Sequence, residues 1–308
     1  MRILYLDCFS GISGDMTVAA LVDAGADRSY IEEELGRMKL DAYTLEWNRV
    51  NKQGISALKF DVILDKSHPP KHHRHYADIV KMIREAGFNE RVTSLSQAIF
   101  EKIGIAEAKI HDIPLEKVHF HEVGAMDSII DIIAVALAID SLHISKIYTS
   151  PVPLGSGTVR MGHGIYPIPA PATLEMMKGL PIASSPYSVE LTTPTGAGII
   201  SGICHEFSKS IPPMIVEAIG YGAGTRDMKE QPNVLRVIIG TMDPSIGQWQ
   251  ANHDYIVQNL HQQHGHHDNH HHDDHHHDNH HHDSTREDHQ RDDHQRDDHQ
   301  RYRDIFPL

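Results

Sequence analysis

The spacing of apolar residues changes period several times along the chain, and each change predicts an element. Arg2–Asp7 is a short apolar strand. After the glycine-bearing run C-F-S-G-I-S-G-D-M, a helical period holds from about Asp15 to Ala24 and returns from Ser29 to Met38. Tyr43–Val50 and Ser56–Leu64 alternate, and Asn51–Gly54 between them predicts a hairpin. Two further helices are expected over Tyr76–Ala86 and Glu90–His111, a strand over Lys146–Ser150, and a helix from Pro171 to about Lys178. Met214–Gly222 and Asn233–Met242 read as closing strands. Strands alternating with helices predict an α/β fold, a mixed sheet with helices on its faces.

The most apolar run lies in the middle of the chain, beside the densest candidate chemistry. Val118–Asp131 reads V-H-F-H-E-V-G-A-M-D-S-I-I-D. If Val118–Val123 is extended, His119 and His121 leave the same face. Gly124 ends that strand. Ala125–Leu142 then predicts a buried helix through Ile129, Ile130, Ile132, Ile133, Val135, Leu137 and Ile139. Asp127 and Asp131 stand one turn apart on it and share a stripe with Ala134 and Ala138. A carboxylate in so apolar a helix is costly unless paired, hydrogen-bonded or metal-bound. Imidazoles with carboxylates suit Ni, Zn, Mn or Fe. Singly, each residue has a plainer role: Asp127 as a helix cap, Asp131 facing water, the histidines packed or solvated. Together they predict a metal site of His119, His121 and Asp131, with Asp127 or Glu122 as a further ligand or supporting group, and His121 or Glu122 as a proton-transfer group.

Other stretches offer polar groups at strand–turn–helix junctions. Ser10, Gly11, Ser13, Gly14 and Asp15 lie in the first, where backbone N–H groups could cradle a phosphate. Neither standard phosphate fingerprint is present there. Asp7 and Asp15 hold positions usual for functional carboxylates, although Asp15 could simply favour its helix dipole. E-L-T-T-P-T-G-A-G repeats the layout with Thr193, Thr195 and Gly196. H-P-P-K-H-H-R-H places His75 just ahead of a helix, as a further candidate metal ligand or, more plainly, part of a solvated basic loop. Between Pro151 and Thr173 a Gly- and Pro-dense run predicts a rigid irregular loop whose basic side chains are Arg160 and His163.

Composition divides the chain. Of 27 histidines, 17 fall between residues 253 and 299, and thirteen acidic residues against five arginines give segment 251–308 eight of the 14 net negative charges. Residues 1–243 are expected to form one α/β metal-binding body, and 251–308 a disordered tail. His270, His271, His272, His275, His276, His277, His280, His281 and His282 form the densest part of that tail, which predicts a loose nickel store. No basic stripe with interleaved aromatics predicts nucleic-acid binding. Two cysteines, Cys8 and Cys204, give neither a disulfide framework nor a Cys-x-x-Cys knuckle. No secretory signal or membrane span is expected, so the cytoplasm is the default compartment.

Five motifs taken in order, L-D-C-F-S-G-I-S-G-D-M, H-H-R-H-Y-A-D-I, V-H-F-H-E-V-G-A-M-D-S-I-I-D-I, H-G-I-Y-P-I-P-A-P-A-T and E-L-T-T-P-T-G-A-G, resemble the nickel-insertion (LarC-type) family of lactate racemase maturation over about residues 1–243. The resemblance implies a cytoplasmic nickel chelatase that metallates pyridinium-3,5-bisthiocarboxylic acid mononucleotide, forming the Ni–C and Ni–S bonds of the nickel-pincer cofactor. It implies that CTP is consumed, with Mn or Mg, on a C-terminal domain or subunit that this chain is expected to lack. Lactate racemase apoprotein and a homo-oligomeric partner copy are further expectations. Two other classes compete: a nickel store or metallochaperone, and a metal-dependent hydrolase.

Overall fold

The computed structural model describes residues 1–38, 40–65, 74–120, 125–161 and 164–242. In chain order these form β1 (Arg2–Asp7), α1 (Gly14–Asp23), α2 (Arg28–Gly36), β2 (Tyr43–Lys52), β3 (Ile55–Leu64), α3 (Tyr76–Glu85) and α4 (Glu90–His111). A 3-10 turn at Leu115–Lys117 leads to α5 (Met126–Ser141), β4 (Lys146–Thr149), β5 (Val152–Pro153), β6 (Thr158–Met161), β7 (Gly164–Pro167), α6 (Pro171–Met176) and β8 (Ile182–Ala183). The order closes with α7 (Pro194–Ile203), β9 (Glu206–Phe207), β10 (Ile215–Ala223) and β11 (Val234–Thr241). All of them fall within the compact unit Met1–His253.

Seven strands make one mixed sheet in the order β2-β3-β10-β11-β1-β4-β9. β1 lies antiparallel to β11 and parallel to β4, so the chain crosses over from β1 to β4 through the helical layer. Alternation decides what each face of the sheet touches. Leu4 and Leu6 of β1, with Leu235, Val237 and Ile239 of β11, join the large core that takes in the buried residues of the helices. Ile3, Tyr5, Tyr148 and Ile238 form a small cluster of their own on the other face.

The helix α5 is the hub of the large core. Eleven of its sixteen residues are buried, and it packs against α1, α2, α4 and β3. Burying each large aliphatic side chain contributes roughly 1.5–3 kcal/mol, which explains why so apolar a run settles at the centre. Helix ends are fixed locally. The Asp27 carboxylate accepts from Tyr30 N at the start of α2, and Asn89 Oδ1 accepts from Val92 N at the start of α4.

Two expectations change. Val118–Val123 is not a strand in its described part: after the 3-10 turn only His119 pairs, in an isolated bridge to His75. The Gly- and Pro-dense run is not wholly irregular. β6 and β7 pair within it through Thr158↔Pro167 to Met161↔Gly164, and β5 pairs with β8. Segments of two to four residues are too short to show a period, so their pairing is set by tertiary context.

β3 pairs with β10, in parallel, at Gly222↔Leu58. Beside that junction the Asp23 carboxylate accepts from Tyr221 N at 2.8 Å and from Arg49, filling the gap with a side chain in place of a ladder bond. β10 ends at Ala223, one residue past the Gly222↔Leu58 pair, and the part of β3 that runs on beyond it lines a cleft with α1 and α5.

Candidate functional site

Two turns are built against each other. Ile12 and Thr192 form a parallel bridge, with Ile12 N donating to Leu191 O and Thr193 N to Ile12 O, both at 3.1 Å. A Cβ on Gly11 would sit 2.0 Å from Leu191 O, and one on Gly196 would sit 2.1 Å from Ile12 O. These glycines let the turns approach each other. The N-termini of α1 and α7 are thereby set side by side, and α5 begins beside them.

All three helix starts line one cleft of about 400 Å³: Ser13, Gly14 and Asp15 of α1, Ala125, Asp127 and Ser128 of α5, and Thr193, Pro194 and Thr195 of α7. β3 supplies Lys59 and Asp61, α5 adds Asp131, and Glu190 and Thr225 complete the polar lining. Helix N-termini carry partial positive charge and free N–H groups. The cleft therefore combines five carboxylates with one ammonium and three positive dipole ends.

Lys59 is its fixed cation. Its Nζ lies 2.5 Å from Asp61 Oδ1 and 3.3 Å from Asp15 Oδ2, and donates to Phe60 O at 3.1 Å. Burial works against the charged form, but Asp61 and Asp15 outweigh it and hold the ammonium above the ordinary lysine value. Ser13 Oγ bonds the other oxygen of Asp15. Asp131 takes the opposite course. Burial pushes its carboxyl well above the usual range, the charges of Asp15 and Asp127 push further, and Lys59 and the backbone N–H of Asp15 only partly oppose them. Gly14 makes this contact possible: a Cβ there would lie 2.5 Å from Asp131 Oδ2.

Several expected residues meet in the cleft: Ser13, Gly14, Asp15, Asp127, Asp131, Thr193 and Thr195. Others are placed elsewhere. Ser10 Oγ donates to Pro232 O and accepts from Gln231 Nε2, so its hydroxyl serves the loop before β11. Gly11 and Gly196 serve the turn contact. Thr193 Oγ1 accepts from Gly196 N as the α7 cap. Arg160 is exposed on the β6–β7 hairpin. Asp7 pairs with Arg236 across the β1–β11 ladder, which gives it a structural role. Cys8 is fully buried, and burial pushes its thiol up to about 12 even against its bond with Thr149, so it offers no thiolate.

His119 and Asp131, both expected on one metal, stand in different surroundings. His119 pairs with His75, ring centroids 3.7 Å apart, and neither lines the cleft. His121, Glu122, His163 and the tail histidines lie outside the described residues. Among the described residues no three His, Cys, Asp or Glu side chains are placed to hold one metal ion. Lys59, Asp61, Glu190 and Thr225 were missed by sequence reasoning. Lys59 and Asp61 carry the one available signal, two opposite charges two residues apart on one face of a largely apolar strand.

Comparison with known proteins agrees on one family. Residues 4–286 match the family model described as nickel insertion protein. A pyridinium-3,5-bisthiocarboxylic acid mononucleotide nickel insertion protein of Geobacillus kaustophilus is 56% identical over 247 residues, which is 78% of this chain and 60% of that protein. One of the same description from Staphylococcus epidermidis is 50% identical, over 77% of this chain and 59% of its own length. A putative nickel insertion protein of Citrifermentans bemidjiense is 45% identical, over 78% of this chain and 62% of its own. The chain thus spans about three-fifths of the length of the curated relatives it matches. No solved structure matches it. No helix among the described residues is long and apolar enough to cross a membrane.

Proposed function

The chain belongs to the nickel-insertion family, and from that premise we propose that its body binds pyridinium-3,5-bisthiocarboxylic acid mononucleotide in the cleft and takes part in its metallation by nickel. One observation carries this reading: the cleft offers both signs of charge side by side. An N-alkylated pyridinium ring bears a fixed positive charge, which Asp15, Asp61 and Asp127 favour. A phosphate bears the opposite charge, which the N-termini of α1, α5 and α7 favour. A ligand with charge of only one sign would meet repulsion from half of this lining.

Nickel is a substrate of this reaction. Forming a Ni–C bond requires a ring proton to leave, and His121 or Glu122, just before the start of α5, would accept it. The same reading puts CTP, with Mn or Mg, on the part of the relatives beyond this chain's span. It places the reaction in the cytoplasm, in a homo-oligomer, with lactate racemase apoprotein as the recipient. A nickel-storage role has one observation of its own, the 17 histidines between 253 and 299. It is compatible with metallation and would add a loose reservoir.

Isothermal titration of the full chain with the mononucleotide tests the cleft. Asp127→Ala and Asp61→Ala should each weaken binding about tenfold, about 1.4 kcal/mol. Metallation would then be followed by mass spectrometry with nickel, CTP and the remaining domain supplied from a longer relative. Undiminished binding in both variants would overturn the cleft assignment. Release of inorganic phosphate from phosphate esters, with no metallation, would favour the hydrolase.

A further inference from the structure

We propose that His75 and His119 form a nickel-docking position outside the cleft, each giving the ion one imidazole nitrogen. The inference rests on the nickel reading above only for the choice of metal.

The backbone builds the pair. Tyr76 N donates to Val118 O at 3.1 Å and Phe120 N to Arg74 O at 3.4 Å, one bond on either side of the His75↔His119 bridge. The bridge is therefore the closely spaced antiparallel pair, in which side chains on one face come nearest. Val118 and Phe120 are buried, at 0% and 1% exposure, and alternation turns His119 outward between them. The rings lie 3.7 Å apart, tilted by 50°. Arg74, one residue before His75, points the other way, its guanidinium on Asp41 at 3.0 Å. Its positive charge is thus kept off the imidazole face.

Imidazole is a fitting ligand for nickel, more so than the carboxylates of the cleft. Rings this close need little movement for one nitrogen of each to reach a common ion, at about 2.0–2.2 Å by analogy with zinc. Binding exchanges two metal-bound waters for two imidazole nitrogens. Partial coordination of this kind holds the ion loosely enough to surrender it. The next station is near. Ala125 lines the cleft six residues beyond His119, a span of at most about 21 Å.

Carbethoxylation of histidines by diethyl pyrocarbonate, read residue by residue by peptide mass spectrometry on the full chain without mononucleotide, tests this. The tail histidines fall on other peptides and serve as an internal control. If bound rings are unreactive, nickel at ten times its dissociation constant should slow modification of His75 and His119 about tenfold. Magnesium should not. In His119→Asn, His75 should return to its metal-free rate while the tail stays protected, and His75→Asn should do the same to His119. Equal rates with and without nickel, at a concentration that protects the tail, would overturn the proposal. So would full protection of His75 in His119→Asn, which would mark binding to one ring alone. Mononucleotide plays no part in the measurement, so its result and that of the cleft titration stand apart.

Discussion

Asp131 and His119 are twelve residues apart in the chain, yet one sits in a crowded cleft and the other on an exposed two-residue pairing. Asp131 is fixed by a helix that is buried almost all round, and Gly14 touches it so closely that no Cβ fits between. His119 is fixed by two backbone hydrogen bonds and a neighbouring ring. The difference is one of chemical demand. A cleft that orients a ligand of mixed charge needs rigid carboxylates and helix ends, held by the core. A position that passes on a metal ion needs neutral nitrogen ligands near water. Damage to the cleft should therefore cost stability and binding together, while the imidazole pair should be alterable with the fold intact.

The largest break in that comparison is expected from Gly14→Val. A branched side chain must displace Asp131 or the start of α1, an overpacking cost of about 3 kcal/mol. Urea denaturation should show the loss, and mononucleotide titration should show no binding. Nickel protection of His75 and His119, measured below the unfolding transition, should be unchanged. Loss of that protection as well would mean that the two places are one site.

Lys59→Met should cost less, about 2 kcal/mol. Removing one partner of a buried ion pair commonly costs 3–5 kcal/mol, but Asp15 and Asp61 keep 27% and 37% exposure, so solvent screens their repulsion. A millimolar divalent cation should raise the melting temperature of this variant more than that of the wild type, because it can replace the missing ammonium between the two carboxylates. An equal shift in both would show that Lys59 does not balance them.

Much of this was legible beforehand, for reasons specific to each part. α4 spans the expected Glu90–His111, and α5 falls within one residue of its expected ends, since long periodic segments leave little freedom. Asp127 and Asp131 were placed together correctly because a helix fixes what lies one turn apart. Lys59 and Asp61 were not foreseen. They reach the cleft because β3 runs on past the end of β10, which stops one residue after the pair Gly222↔Leu58, and that relative placement of two strands has no local signature. Gly11 and Gly196 have the residue types of a phosphate loop, but two turns packed on each other need the same small residues, and the Ser10 hydroxyl is taken by the loop before β11. The His75–His119 pairing joins segments 44 residues apart, which no spacing rule within either segment could reveal.

Thr193→Ala should have a smaller effect, about 1 kcal/mol, through loss of the α7 cap on Gly196 N. Fluorescence-monitored denaturation would record it. The Thr193 hydroxyl lines the cleft but serves as a cap, so binding of inorganic phosphate should hold while stability falls. Weaker phosphate binding would show that the hydroxyl itself touches the ligand.

The smallest expected effect, on the order of 1 kcal/mol or less, is that of Asp131→Asn, and its sign carries the information. The folded state raises the Asp131 pKa above 3.8, the value for an unperturbed carboxyl. The folded chain therefore holds this proton more tightly than the unfolded chain does. That preference stabilises the fold fully below the unfolded pKa and is lost as pH rises through the folded one. Asparagine keeps an acceptor for Asp15 N–H and has no proton to lose. Relative to the wild type, the variant should be no more stable near pH 4 and should gain with each step toward pH 8. Melting temperatures of both proteins across that range, without divalent cations, give the comparison. A flat difference would mean that Asp131 is ionised throughout, and the cleft would then carry a full extra negative charge. A divalent cation should reverse the trend in the wild type alone, since only the carboxylate gains a partner when the proton leaves.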